Sequence, residues 1–221
     1  MTEAVWKYTL TFRSPVSVFS GLAVAGLVDR MVMRDHEGLP YIPGSSVKGR
    51  WRFFAERLLR SLGEDAQNEG LKSLHGENEP ICKNWGEACT VCRIFGNPTL
   101  ASRVWVGPAR LDDALKPLFR EILKRNKNPV IHPDTELRPG IALSRMRRIA
   151  LEDHLFFDEV LPRAAAFTGT VRIKKFHEFN SQEERFLVET ARMVDRLGAR
   201  KAVGRGELES GICLCPPGGA L

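Results

Sequence analysis

Hydrophobic residues recur along this chain with a period near two in some stretches and near 3.6 in others, and the order of those stretches outlines a mixed fold. Trp6, Tyr8, Leu10 and Phe12 alternate with polar neighbours inside 5–18, the pattern of a half-buried first strand. Small residues over 21–26 read as a loop, 27–34 as a short extended piece, 35–38 as a turn and 39–42 as a brief strand. A helix is expected over 46–62, with Val47, Trp51, Phe54, Leu58 and Leu62 along its core face. The polar segment 63–92, rich in Gly, Asn and Glu, reads as an insertion outside the core. Strand-like runs follow at 103–111, 141–148, 156–161 and 166–174, with 112–127 a helix or partly ordered excursion between them. Phe186, Val188, Ala191 and Val194 sit at helical spacing within 183–197. A basic, glycine-bearing loop at 199–206 and a last strand at 207–213 precede a Pro-Gly tail. Strands interleaved with two main helices predict an α+β domain of the ferredoxin-like or RRM-like type, with no internal repeat.

Composition narrows the class. The 221 residues are 43% hydrophobic and 27% charged, enough to bury one core in one domain with a modest insertion. Thirty-three Lys+Arg against 27 Asp+Glu leave a net charge of +6, which suits a polyanionic partner without requiring one. No apolar run approaches membrane-spanning length, and the N-terminus lacks a signal-peptide layout, so a cytoplasmic protein with no membrane partner is expected. Five cysteines in such a setting point to metal ligands or free thiols before disulfides. Cys213 and Cys215 are read as facing opposite sides of the final strand, one a core and one a surface residue.

The run 39–52, LPYIPGSSVKGRWR, carries the strongest local signal. Pro43 and Gly44 lead into Ser45 and Ser46, read as helix caps, and Lys48, Arg50 and Arg52 then crowd the first two turns. Cations are unfavourable at a helix N-terminus, whose partial charge is positive. Either an external anion sits on the free amides with the cations around it, or the charges form a solvated helix face. A second cluster, His75-x6-Cys82-x6-Cys89-x2-Cys92, puts four soft or borderline ligands in the polar segment and reads as a structural Zn²⁺ site. His75 is the least determined ligand, since a Glu or a water could replace it. Arg145, Arg147 and Arg148, in the stretch GIALSRMRRIALEDHLFF, either bind RNA phosphates or form a solvated hairpin face, and Arg200, Lys201 and Arg205, between glycines 198 and 206, are a further basic group suited to phosphates.

These motifs, taken in order, resemble a known family. The PGSS-x-KG element, CRIFG at 92–96, LFFDEVLP at 155–162 and the C-terminal glycine loop are similar to the RAMP superfamily of CRISPR proteins. More narrowly, they resemble the repeated backbone subunit of type III effector complexes, the Csm-three-like group. The resemblance implies one RRM-like palm spanning 1–221, with a zinc-binding insertion at about 63–100 and a thumb hairpin at about 130–165. It implies binding to a guide CRISPR RNA and a complementary target RNA, beside further copies of the chain and other effector subunits. It also implies target cleavage at regular intervals through Asp29, the acid ahead of PGSS, with Mg²⁺ or a similar cation. Asp29 would hold the ion or orient the RNA 2′-hydroxyl, and Arg30 or Lys48 would supply positive charge. Asp35 falls where relatives carry a turn-forming acid. Leu143-Ser144-Arg145 stands where relatives often read Ile-Asp-Arg, so no catalytic role is carried to that stretch; Met146 and Ile149 are its wedge residues. A non-catalytic scaffold of the same complex and a guide-precursor-processing endoribonuclease are the alternatives.

Overall fold

A computed structural model describes residues 3–24, 26–76, 81–126, 132–144, 146–174 and 178–216. The first strand, β1 (Glu3–Thr11), buries Trp6, Tyr8 and Leu10 on one face, as its alternation requires. It lies between two antiparallel neighbours, β7 (Ala166–Lys174) along its whole length and β8 (Cys213–Cys215) on the other side. The far edge of β7 is filled by two short strands, β3 (Val104–Val106) and β4 (Ala109–Leu111), and β2 (Tyr41–Ile42) pairs with β4. Tyr8 crosses the sheet to donate its hydroxyl to the Gly107 carbonyl at 2.7 Å. Its ring passes directly over Gly169, where an added Cβ would meet it at 2.4 Å, so the crossing demands glycine there.

Helix α1 (Gly44–Leu62) follows β2, and α5 (Ser181–Arg192) lies between β7 and β8. Trp51 of α1 donates its indole N–H to Thr190 of α5 at 3.0 Å, which ties the two helices over one face of the sheet. Taken in chain order, β1, α1, β3/β4, β7, α5 and β8 form a βαββαβ unit with the spatial order fourth, first, third, second. This is the expected ferredoxin-like α+β palm. Among the described residues there are also the shorter helices α2 (Asp65–Asn68), α3 (Thr90–Phe95) and α4 (Lys116–Arg125).

Several local expectations are corrected. The first helix begins at Gly44, with Pro43 at the N-cap position and no side-chain capping bond, so Ser45 and Ser46 lie in its first turn and do not cap it. Its buried stripe is Val47, Trp51, Ala55 and Leu59, while Phe54, Leu58 and Leu62 flank it half-buried. The early start is possible because Gly44 has no Cβ; one would lie 2.0 Å from the Val106 carbonyl oxygen. The end of the polar segment enters the core: Ala88, Cys89, Val91 and Cys92 are buried, and α3 sets Phe95 edge-on against Trp51 at 5.4 Å. The last strand is 213–215 and not 207–213, and Cys213 and Cys215, two apart, share one of its faces.

Between β4 and β7 the chain leaves the palm as a two-stranded hairpin, β5 (Glu136–Ser144) and β6 (Ile149–Val160), with a bulge between Ile141 and Leu143. Leu143, Met146 and Ile149 are exposed near its end, Met146 at 97%. The hairpin is anchored at its other end. Glu159 is buried and accepts from the Val32 amide at 2.6 Å, the Thr135 hydroxyl at 2.7 Å and Arg34 at 2.8 Å. Arg34 also forks onto Asp134 at 2.8 and 3.1 Å. Burial alone would raise the Glu159 pKa; the hydrogen bonds from Thr135, Arg34 and Val32 outweigh it and hold the carboxyl below its ordinary value.

A folded-state pKa below the unfolded one adds stability above the ordinary carboxylate range, and that stability is lost as pH falls through the depressed value. Glu159→Ala should therefore cost roughly 3 kcal/mol at neutral pH, because it leaves Arg34 partly unpaired in the interior. Denaturant unfolding of both proteins between pH 7 and pH 3 checks this, and the gap between them should narrow below the ordinary glutamate value of 4.5.

Candidate nucleic-acid interface and metal centre

The exposed edge of α1 separates two grooves. The first, of about 560 Å³, runs between Ser45, Ser46, Arg50 and Phe53 on the helix and Gly198 and Lys201 of the glycine loop. The second, of about 530 Å³, lies between Lys48 and Arg52 on the helix and the loop Gly96, Asn97 and Ser102. Ser45 and Gly49 line both. Nothing approaches within 4 Å of where a Gly49 Cβ would lie, so backbone is open to a ligand along this ridge. The first turn of α1 holds no acid, which leaves its positive end uncompensated.

The helix cations line these grooves while bonded within the chain. Lys48 donates to Ser102 Oγ at 2.7 Å, and burial together with neighbouring Arg52 lowers its pKa from the ordinary value. Arg50 bonds the Arg196 carbonyl and Asp195, both at 3.0 Å, and stacks on Phe53 and Phe54. Arg52 bonds Glu56 at 2.7 Å and the Gly96 carbonyl at 2.6 Å. The glycine loop is built in a similar way. Gly198 and Gly206 have positive φ, and a Cβ on either would strike the carbonyl oxygen of Ser17 or Leu197, at 2.6 and 1.8 Å. These glycines serve the chain's own close packing. Lys201 Nζ bonds the Gly198 carbonyl at 2.9 Å, so of this loop's cations it alone borders the first groove. Arg147 and Arg148 are exposed at the turn of the hairpin, and Arg145 lies outside the described residues.

Asp29 is exposed at the base of the hairpin. Its Oδ2 accepts from the Phe157 amide at 2.7 Å, and its own amide donates to the Phe157 carbonyl at 3.0 Å. Among the described residues it has no ion pair, and no group of three acids or histidines gathers around it. Asp35 caps its turn through the amides of Glu37 and Leu39, both at 3.0 Å, and pairs with Arg110. The sequence reading did not single out Asp158, which is fully buried and faces Arg205 at 2.9 Å, Arg200 at 3.3 Å and Arg30 at 3.6 Å. Its only trace in the sequence is that two acids, 158 and 159, interrupt the apolar run 155–161.

The candidate metal ligands converge as their spacing suggests. His75 Nδ1 stands 3.6, 3.5 and 3.9 Å from the sulfurs of Cys82, Cys89 and Cys92, and all four ligand atoms lie within 4.8 Å of one another. A tetrahedral zinc with standard bond lengths separates nitrogen from sulfur by about 3.6 Å, so the cluster has the dimensions of a Cys3His zinc site. Cys89 caps α3 by accepting the Cys92 amide and itself donates its amide to the Cys82 sulfur, so backbone N–H groups already aim at ligand sulfurs. Burial pushes the Cys89 thiol up to about 12, and a bound dication is what would favour its thiolate. Asn97 and Thr99 both bond the Cys82 carbonyl at 2.9 Å, which joins this centre to the loop bordering the second groove.

A ferredoxin-like palm, a hairpin leaving it between the second and third strands of the βαββαβ unit, basic grooves at a helix N-terminus and a Cys3His cluster define an α+β protein built for polyanions. The model of the RAMP superfamily matches residues 9–209, and the chain belongs to that superfamily of CRISPR-associated RNA-binding proteins, which includes ribonucleases. Among curated proteins none matches the chain significantly. No helix of the described residues is long and apolar enough to cross a membrane.

The purified protein should carry one zinc per chain by elemental analysis, and Cys92→Ser should abolish it. Loss of the centre should lower the melting temperature by roughly 5–10 °C, the equivalent of a few kcal/mol in a chain of this size.

Proposed function

We propose that this chain is the guide-RNA-binding backbone subunit of a type III CRISPR effector complex, stacked in several copies along one guide beside other subunits. It cuts complementary target RNA at regular intervals through Asp29. The observation that carries the reading is the position of Asp29: an exposed carboxylate held by the backbone of the hairpin base, where the hairpin leaves the palm. The two grooves along α1 bind the guide through its phosphates, so affinity does not depend on guide sequence and falls steeply with salt. The exposed Met146 and Ile149 stand at the hairpin's free end, where a wedge between bases is placed.

The cut is an in-line attack of a target 2′-hydroxyl on its own phosphodiester. A bond forms from O2′ to phosphorus, the bond to the 5′-oxygen breaks, and that oxygen takes a proton from water, so the products end in a 2′,3′-cyclic phosphate and a 5′-hydroxyl. The Phe157 amide fixes Asp29 Oδ2, which leaves Oδ1 to orient the hydroxyl and accept its proton. Asp29 is also the residue that would hold Mg²⁺, a cation commonly bound through one or two carboxylates plus substrate phosphates, and the ion would supply charge neutralisation at the phosphate. In the alternative reading Asp29 only pins the hairpin through Phe157, and the subunit is a scaffold.

In the guide-loaded complex, Asp29→Ala should slow target cleavage at least about 100-fold, the scale of a lost general base, while target binding stays unchanged. Gel analysis of labelled target with and without Mg²⁺ checks it. Intact target bound equally by wild type and variant would leave the scaffold reading.

A further inference from the structure

Three guanidinium groups converge on Asp158, but not equally. Arg205 is 12% exposed and hydrogen-bonds Asp158 Oδ2 at 2.9 Å, enough to neutralise it. Arg30 and Arg200 are 43% and 31% exposed and stand at 3.6 and 3.3 Å, as ion pairs without a hydrogen bond. Among the described residues neither side chain donates a hydrogen bond to any protein group. Both instead lie against the same ring, with Arg30 5.1 Å and Arg200 4.3 Å from the Phe156 centroid. An aromatic face holds a guanidinium plane in place and leaves its edge N–H groups free. Arg200 reaches this position from a left-handed backbone, with φ of 57°, a conformation an arginine seldom adopts.

The charges do not close. Three arginines against Asp158 leave two positive charges, and counting Asp29, which the adjacent Phe157 amide holds, still leaves one. A phosphodiester carries one negative charge and accepts planar, forked donors, the group that guanidinium edges match best.

We propose that Arg30 and Arg200, which both pack on Phe156 and both face Asp158, form a clamp for one RNA phosphodiester. Asp158 is the buried counter-charge that positions them. Placement of that phosphate beside the cutting residue rests on the function proposed above; the clamp itself rests on the arginine geometry. Guide and target strands offer the same chemistry, so both are tested.

The test uses the full chain and the double variant Arg30→Gln/Arg200→Gln, with Arg125→Gln/Arg192→Gln as a charge-matched control on exposed helix positions. Anisotropy of labelled single-stranded RNA is read across a salt series, first as guide on the protein, then as target on the guide-loaded complex. Loss of one phosphate contact should weaken binding roughly tenfold and reduce the slope of log affinity against log salt by about 0.7. Lysine at both positions should restore the slope while binding stays weaker than wild type, since lysine lacks the planar fork. A change in the guide arm assigns the clamp to a guide phosphate, and a change in the target arm alone assigns it to the target. Slopes and affinities equal to the control pair in both arms overturn the proposal. Arg30→Gln alone, at the more exposed and looser position, gives the same readout if the double variant fails to fold. A wild-type complex that binds target but never cuts it overturns the cleavage reading and leaves the clamp judged by the slopes.

Discussion

The fold's working surface depends on two consecutive buried acids, Asp158 and Glu159, where the hairpin enters the palm. Adjacent strand residues point to opposite faces, so each carboxylate must find its cations on a different side. A buried charge left unpaired costs several kcal/mol, and this requirement draws three separate segments onto one strand. Glu159 collects Arg34, the Val32 amide and Thr135; Asp158 collects Arg30, Arg200 and Arg205. The loop carrying Asp29 and the glycine loop are thereby fixed to the hairpin and, through it, to each other.

This clamp reorders the roles of the basic residues. Cations rich in a sequence invite assignment to phosphates, but Arg34 and Arg205 spend their charge inside the protein and Lys48, Arg50 and Arg52 are each tied to a neighbour. Intramolecular bonds of this kind pre-organise a surface: an arginine already held in place loses little freedom when a ligand arrives. The zinc-type cluster works toward the same end from the other side of α1. Its segment is rooted in the core by Ala88, Cys89, Val91 and Cys92, and through Asn97 and Thr99 it steadies the loop that borders the second groove.

Much was legible in the sequence because it was local. The alternation in β1, the apolar stripe of the long helix and the His-Cys spacing each report on residues close in the chain, and their order gave the ferredoxin-like palm. The first helix began earlier than its serines suggested because Gly44 answers to a carbonyl in β3, some sixty residues away. Gly198 and Gly206 of the C-terminal loop likewise answer to Ser17 and Leu197.

The sequence by itself determined the class of fold, the three cysteines of the candidate metal cluster with His75 as the open fourth member, and the presence of an acid before a basic helix start, since spacing and periodicity are carried by neighbours. Only the tertiary structure decided which cations are free. Arg30, Arg34, Arg200 and Arg205 are chemically alike in the sequence, and what separates them is their distance from two carboxylates distant in the chain. Charge pairing acts through space over a few ångströms, and no local pattern records it.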